Sequence, residues 1–168
     1  MLYTSAQANK LLKKLTEERN SILYKENTSN MFIAATTENL EDARPAYDYA
    51  QTQRQLSAVE ADIQTVKHCI NVFNTTHVVE GFDRTVDQML VYIPQLTERK
   101  DRLWRMAAQL PKQRMTSSNR SNLIEYQYAN YDPEEAMRDY QAASDELARA
   151  QLALDQLNNT ETMEIPLE

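Results

Sequence analysis

From Leu56 onward the apolar residues fall at Leu56, Val59, Ile63, Val66, Ile70 and Phe73. The steps are three, four, three, four and three residues, which is the seam of a helix that packs along another helix. A strand cannot use that rhythm, because its side chains change face at every residue. Beyond Gly81 the rhythm resumes at Val86, Met89, Ile93, Leu96, Leu103, Ala107 and Leu110, with Lys100 in one seam position. The stretch from Ala46 to Leu110 therefore predicts two long amphipathic helices joined by a turn, as a central antiparallel coiled-coil hairpin.

The turn holds the chain's one glycine. Glycine-rich phosphate loops, dinucleotide-binding turns and nucleophile elbows each need several glycines close together, so none can be built here. A length of 168 residues suits one domain with a real core, here read as a single helical domain with its core at about 4–158. Hydrophobic residues at 42% and charged residues at 26% fit neither a disordered nor a membrane-embedded chain. No apolar run approaches the roughly 20 residues that span a bilayer. Met1-Leu2-Tyr3-Thr4-Ser5 lacks the basic and apolar segments of a secretory signal. The lone Cys69 has no intramolecular partner, and these features together point to a reducing cytoplasm. The net charge of −7 argues against general affinity for nucleic acid or an anionic membrane.

Around the hairpin the chain reads as follows. Thr4-x-x-Gln7 is a capping box that opens a first helix to about Lys25, with the stripe Ala8, Leu11, Leu12, Leu15, Ile22 and Leu23. Asn27-Thr28-Ser29-Asn30 ends it. Met31 to Thr37 is short, apolar and β-prone, and predicts a strand. An acidic connection, Glu38 to Arg44, leads to Pro45, which suits a first helical turn. The second helix is expected over 45–74, roughly 45 Å at 1.5 Å per residue, making the molecule elongated. Asn74 to Arg84 is the turn. Thr85-x-x-Gln88 is a second capping box, opening a third helix to Leu110 with a kink expected at Pro94.

Pro111 to Asn122 is a polar loop. The stretch from Ile124 to Tyr131 predicts a second strand, in which Ile124, Tyr126 and Tyr128 alternate with polar or small residues to make one buried face. The two strands would pair as a small ribbon. Asp132-Pro133-Glu134-Glu135 is a strong helix start, with a cap, a proline and carboxylates at the positive end. The fourth helix carries the seam Met137, Tyr140, Ala143, Leu147, Ala150, Leu154 and Leu157. Residues 159–168 read as a loosely ordered tail.

The segment Ile70-Asn71-x-x-Asn74-Thr75, with Gly81, Thr85 and the helix end Leu96-Thr97-Glu98-Arg99-Lys100, resembles a family of small bacterial helical proteins labelled septicolysin-like. The strand from Ile124 to Tyr131 and the later Leu154-Asp155 and Asn158 are similar to that family's end. The likeness runs from about Leu11 to Asn159. Where the family carries an Asn-Trp pair, this chain has Asn158-Asn159. The family has no established function, so the resemblance implies a helical fold and no activity.

His68, Cys69 and His77 are the strong nitrogen and sulfur ligands. His68 and Cys69 are sequential and point about 100° apart on a helix, which does not suit one shared ion. Thr65 and Asn74 stand where a di-iron bundle's Glu-x-x-His glutamates would be. Glu38-x-x-Glu41 and Glu80-x-x-Asp83 have a helical spacing of acids, but both fall in predicted loops. No catalytic, cofactor or metal site is assigned. Cations concentrate from Arg99 to Arg120: Arg99, Lys100, Arg102, Arg105, Lys112, Arg114 and Arg120, against Glu98 and Asp101. Those cations, Arg99 to Arg114 above all, are candidates for binding an anion, although the helix C-terminus and pairing with neighbouring acids account for such charges too. Of the nine tyrosines, Tyr126, Tyr128 and Tyr131 lie in the predicted strand.

These readings describe a mainly α protein, an elongated four-helix bundle with a coiled-coil hairpin and a two-stranded β ribbon. The leading function is a non-enzymatic, self-associating scaffold or interaction protein, most simply a dimer, with Trp104, Ile124, Tyr126 and Tyr128 as candidate contacts. A binding module for a phosphate-bearing ligand comes second, and an all-α enzyme acting on phosphorylated small molecules third. No cofactor, membrane or nucleic-acid partner is expected, and a protein partner is left open.

Overall fold

A computed structural model describes residues 1–115 and 124–167, and it is mainly helical with small two-stranded sheets. The chain divides into two compact units. One comprises Met1–Thr76 with Asn158–Glu168, and the other His77–Leu157.

The first unit opens with strand β1 (Leu2–Thr4) and helix α1 (Ser5–Ser29). Both arms of the Thr4 capping box form: Gln7 N–H donates to Thr4 Oγ1 at 3.3 Å, and Thr4 N–H donates to Gln7 Oε1 at 3.0 Å. The helix runs past Lys25 to Ser29, with the Thr28 hydroxyl folded back onto the carbonyls of Tyr24 and Lys25, 3.1 and 3.0 Å away.

Met31 to Thr37 is not a strand. Residues 31–35 run without a ladder partner, and Met31 and Ile33 are 83% and 98% exposed. Strand propensity alone does not hold a strand that has no neighbour to pair with. Thr36 and Thr37 instead form a turn closed from both sides, by Glu38 N–H to the Ala35 carbonyl at 3.0 Å and Ala35 N–H to Glu38 Oε2 at 2.8 Å. A single-turn helix, α2 (Leu40–Ala43), follows under an Asn39 cap.

Helix α3 (Tyr49–Thr76) starts four residues after Pro45. Asp48 displaces the proline as its start, accepting from Gln51 N–H at 3.0 Å, because a carboxylate satisfies a free amide and a proline only lacks one. Val59, Val66, Ile70 and Phe73 of the seam are buried, whereas Leu56 and Ile63 are half-buried. α1 and α3 pack along each other. Their direction is antiparallel: Glu26 accepts from Gln53 and Tyr47, while Arg19, earlier in α1, binds Glu60, later in α3, at 2.7 Å.

The expected loose tail is a strand. β6 (Thr162–Glu164) pairs antiparallel with β1, Tyr3 opposite Met163. Met1 and Ile165 exchange backbone hydrogen bonds at 3.1 and 2.9 Å, and Ile165 is fully buried. An apolar Met163-x-Ile165 alternation inside a polar end supplies the buried face.

The second unit begins with a hairpin, β2 (Val78–Val79) and β3 (Arg84–Thr85). Its loop is made by Gly81 at φ 80° and Asp83 at φ 46°, the left-handed region that glycine enters without a steric cost. Helix α4 (Val86–Ala107) follows, with Thr85 N–H donating to Gln88 Oε1 at 3.0 Å. It runs through Pro94 and stops three residues short of Leu110, which is exposed. Strands β4 (Lys112–Arg114) and β5 (Tyr126–Tyr128) form an antiparallel ribbon. The tyrosine strand therefore pairs with its near neighbour in sequence rather than with 31–37, which keeps the closed loop short. Its expected buried face is absent, since Tyr126 and Tyr128 are exposed. Helix α5 (Pro133–Thr160) buries Ala136, Ala143, Leu147, Ala150, Leu154 and Leu157. With Val79, Val86, Met89, Leu96 and Leu103 these make up the buried apolar set among the described residues of this unit. Met137 and Tyr140, expected in the seam, are half-buried.

Candidate functional site

The candidate residues lie in the second unit, on α4 and the β4–β5 ribbon. Arg99, Arg102 and Arg105 are three residues apart on α4 and therefore neighbours along its surface. All three are exposed. With Gln95, Glu98 and Asp101 they line an open recess of about 530 Å³. Lys100 is half-buried and binds Asp101 at 3.6 Å. Among the described residues the three arginines have no carboxylate within ion-pairing distance, although Glu98–Arg102 and Asp101–Arg105 have the favourable four-residue spacing. Arg120 lies outside the described residues.

Lys112 and Arg114 are on β4, away from this row. The register sets Lys112 opposite Tyr128 and Arg114 opposite Tyr126, with Gln113 opposite Gln127 between them. Both cations and both tyrosines thus share one face of the ribbon, and the glutamines the other. The Lys112 ammonium stands 4.2 Å from the Tyr126 ring centre and 5.4 Å from that of Tyr128, within cation–π reach. Gln113 and Gln127 line a small recess of about 190 Å³ with Gln109, Leu110 and Tyr131 among its walls. Tyr131 donates to the Met106 carbonyl at 2.9 Å, which also accepts from Gln109 N–H at 3.1 Å, and so ties the chain after β5 to the α4 end. Ile124 is exposed just before β5. Trp104 is 51% exposed and meets the Tyr140 ring at 5.2 Å and 48°.

One cluster escapes a reading by motif. The Tyr92 hydroxyl on α4 donates to Glu146 on α5, and the Arg84 guanidinium lies 3.9 Å above the Tyr92 ring. The hydrogen bond to Glu146, then burial and the Glu146 charge, raise the Tyr92 phenol above its usual value, against the pull of Arg84 and Arg99. Tyr92 is consequently a neutral donor that joins two helices. Nothing in the spacing of three residues so far apart in sequence announces it. The ribbon face had a signal: Lys-Gln-Arg and Tyr-Gln-Tyr each place a polar residue between two that match.

The other candidates are separated or structurally occupied. His68 is exposed and Cys69 half-buried on α3, whereas His77 belongs to the other unit and its carbonyl accepts from Val86 N–H at 3.0 Å. Glu38 closes the turn at Ala35, and Glu41 binds Arg44 at 3.3 Å. Glu80 and Asp83 are exposed on the β2–β3 loop. Among the described residues no three His, Cys, Asp or Glu side chains are grouped to hold a metal ion, and no helix is long and apolar enough to cross a membrane.

No protein-family model and no curated protein matches this chain. A solved structure does: a functionally unknown conserved protein from Corynebacterium diphtheriae, with a TM-score of 0.58 and 15% sequence identity, over 98% of this chain and 100% of that one. The likeness is one of fold.

Proposed function

We propose that this chain is a non-enzymatic helical interaction protein that works as a homo-oligomer, most simply a dimer, in the cytoplasm. The observation that supports it is surface area. The chain exposes 12705 Å². A compact monomer of its mass exposes about 8,500 Å², and two separate compact bodies of half that mass about 10,300 Å². The surplus over the second figure, about 2,400 Å², is about what one partner covers in a large obligate dimer. Part of it is apolar, including Leu90, Val91, Trp104 and Ile124 in the second unit. Trp104 and the Tyr126–Tyr128 strand are the proposed contact, since exposed aromatics anchor interfaces and an unpaired ribbon edge accepts another strand. A four-helix bundle with a coiled-coil hairpin, and kinship with the septicolysin-like proteins, belong to the same reading and rest on the seam positions and on the Asn74-Thr75, Gly81 and Thr85 pattern.

Light scattering over a range of concentrations tests the proposal. The expected mass is that of a dimer or higher oligomer, and Trp104→Ala weakens association by about 2 kcal/mol or more, with circular dichroism unchanged. A monomer mass at tens of micromolar overturns it.

A further inference from the structure

The row Arg99, Arg102 and Arg105 bears on a function separate from self-association. Two ordinary explanations exist for such a row, and neither covers it. The helix dipole favours cations only within the last turn. Arg105 lies there, but Arg99 and Arg102 do not, since α4 ends at Ala107. Local ion pairing is the other explanation. Glu98 and Asp101 have the right spacing, yet the ion pair that Asp101 makes is with Lys100, at 3.6 Å. Among the described residues the three guanidinium groups make no ion pair, and they lie over one open recess of about 530 Å³.

We propose that this recess binds a ligand carrying several linked phosphates, held by Arg99, Arg102 and Arg105. A guanidinium presents a planar fork of donors that matches phosphate oxygens in pairs. From Arg99 to Arg105 the helix rises about 9 Å, so a chain of phosphates meets all three guanidinium groups spread along the helix, whereas a single phosphate requires them to be drawn together. Glu98 and Asp101 share the recess, and against Arg99, Arg102 and Arg105 they leave an excess of one positive charge, to which Lys100 adds by binding Asp101. The carboxylates repel a ligand that cannot reach the arginines, which favours a polyvalent anion over a monovalent one. The phosphate chain could belong to a nucleotide or stand alone, and both offer the arginines the same chemistry.

Calorimetric titration of the full chain at low salt, with sodium tripolyphosphate, ATP, orthophosphate and citrate, tests this. Tripolyphosphate is expected to bind at least about tenfold more tightly than orthophosphate or citrate, and to weaken as salt is added. Equal affinity for ATP assigns the site to the phosphate chain alone, whereas tighter ATP binding assigns it to a nucleotide. Arg102→Gln should lose about tenfold, and Arg99→Gln/Arg102→Gln/Arg105→Gln together about a hundredfold or more, with the melting temperature of the free protein kept. The proposal is overturned if tripolyphosphate does not bind the parent, if citrate binds as well, or if the triple variant binds unchanged. Each of these outcomes is independent of the mass measured by light scattering.

Discussion

Within the α3 seam, equal spacing does not mean equal burial. Val66 is fully buried and Phe73 nearly so, whereas Ile63, midway between Val59 and Val66 in the rhythm, is half-buried. Val66→Asp should therefore cost several kcal/mol, because the carboxylate has no partner and no water, and Ile63→Asp distinctly less. Phe73→Ala should cost about 3–5 kcal/mol. Urea unfolding ranks the three, and Ile63→Asp as damaging as Val66→Asp contradicts the burial order. Tyr92 gives a prediction in pH. Its folded pKa is raised above the usual 10.0. The stabilisation this brings is complete below the unfolded value and fades as pH climbs through the folded one. Ultraviolet titration should show the Tyr92 phenol ionising late, together with Tyr47, which burial and its hydrogen bond to Glu26 also raise. Tyr92→Phe should remove one of these late phenols and about 1 kcal/mol of stability at neutral pH, the Glu146 bond being partly screened by solvent. A variant that keeps two late phenols assigns the one given to Tyr92 to another tyrosine.

Among the elements, caps decided the boundaries better than propensity did. Thr4 and Thr85 start helices as their capping boxes indicate, and Asp48 starts α3 in place of Pro45. The β2–β3 loop depends on Gly81 at φ 80°, where an added Cβ meets no atom within 4 Å. Gly81→Ala should thus cost only the backbone strain, about 1 kcal/mol, and a calorimetric melting scan that shows no loss contradicts that reading. β6 makes the opposite case, because its cost lies in burial. Ile165 is fully buried beside the β1–β6 ladder, so Ile165→Ala should cost about 2–5 kcal/mol. Protease digestion of that variant should cut within 159–167 before anywhere else, and an unchanged pattern means the tail is held by something besides Ile165.

At the scale of the whole molecule, both chain ends belong to one unit, and 77–157 forms the other. The exposed area of 12705 Å² is the quantity that a partner copy would change. If copies associate only when folded, mass action makes the melting temperature rise with protein concentration, and Trp104→Ala flattens that rise. A melting temperature independent of concentration in the parent speaks for a monomer and against the surplus area being an interface.

The sequence by itself determined what is local. The three-four rhythm, the two capping boxes, the Asp-Pro-Glu-Glu helix start and the single glycine at a turn each act within a few residues, and each is found where the pattern puts it, except that α4 stops before Leu110, the last position of its rhythm. Tertiary structure decided what depends on a distant partner. Met31 to Thr37 has the composition of a strand and no neighbour to pair with, while Thr162–Glu164 lacks a strong strand signature and finds β1. Whether Arg102 pairs with Glu98 depends on side-chain placement that spacing leaves open, and here the pair does not form. The Tyr92–Glu146 bond joins residues 54 apart. A helix declares itself through neighbours in sequence, whereas a ladder, a recess or a buried hydrogen bond exists only once folding has brought its second half into place.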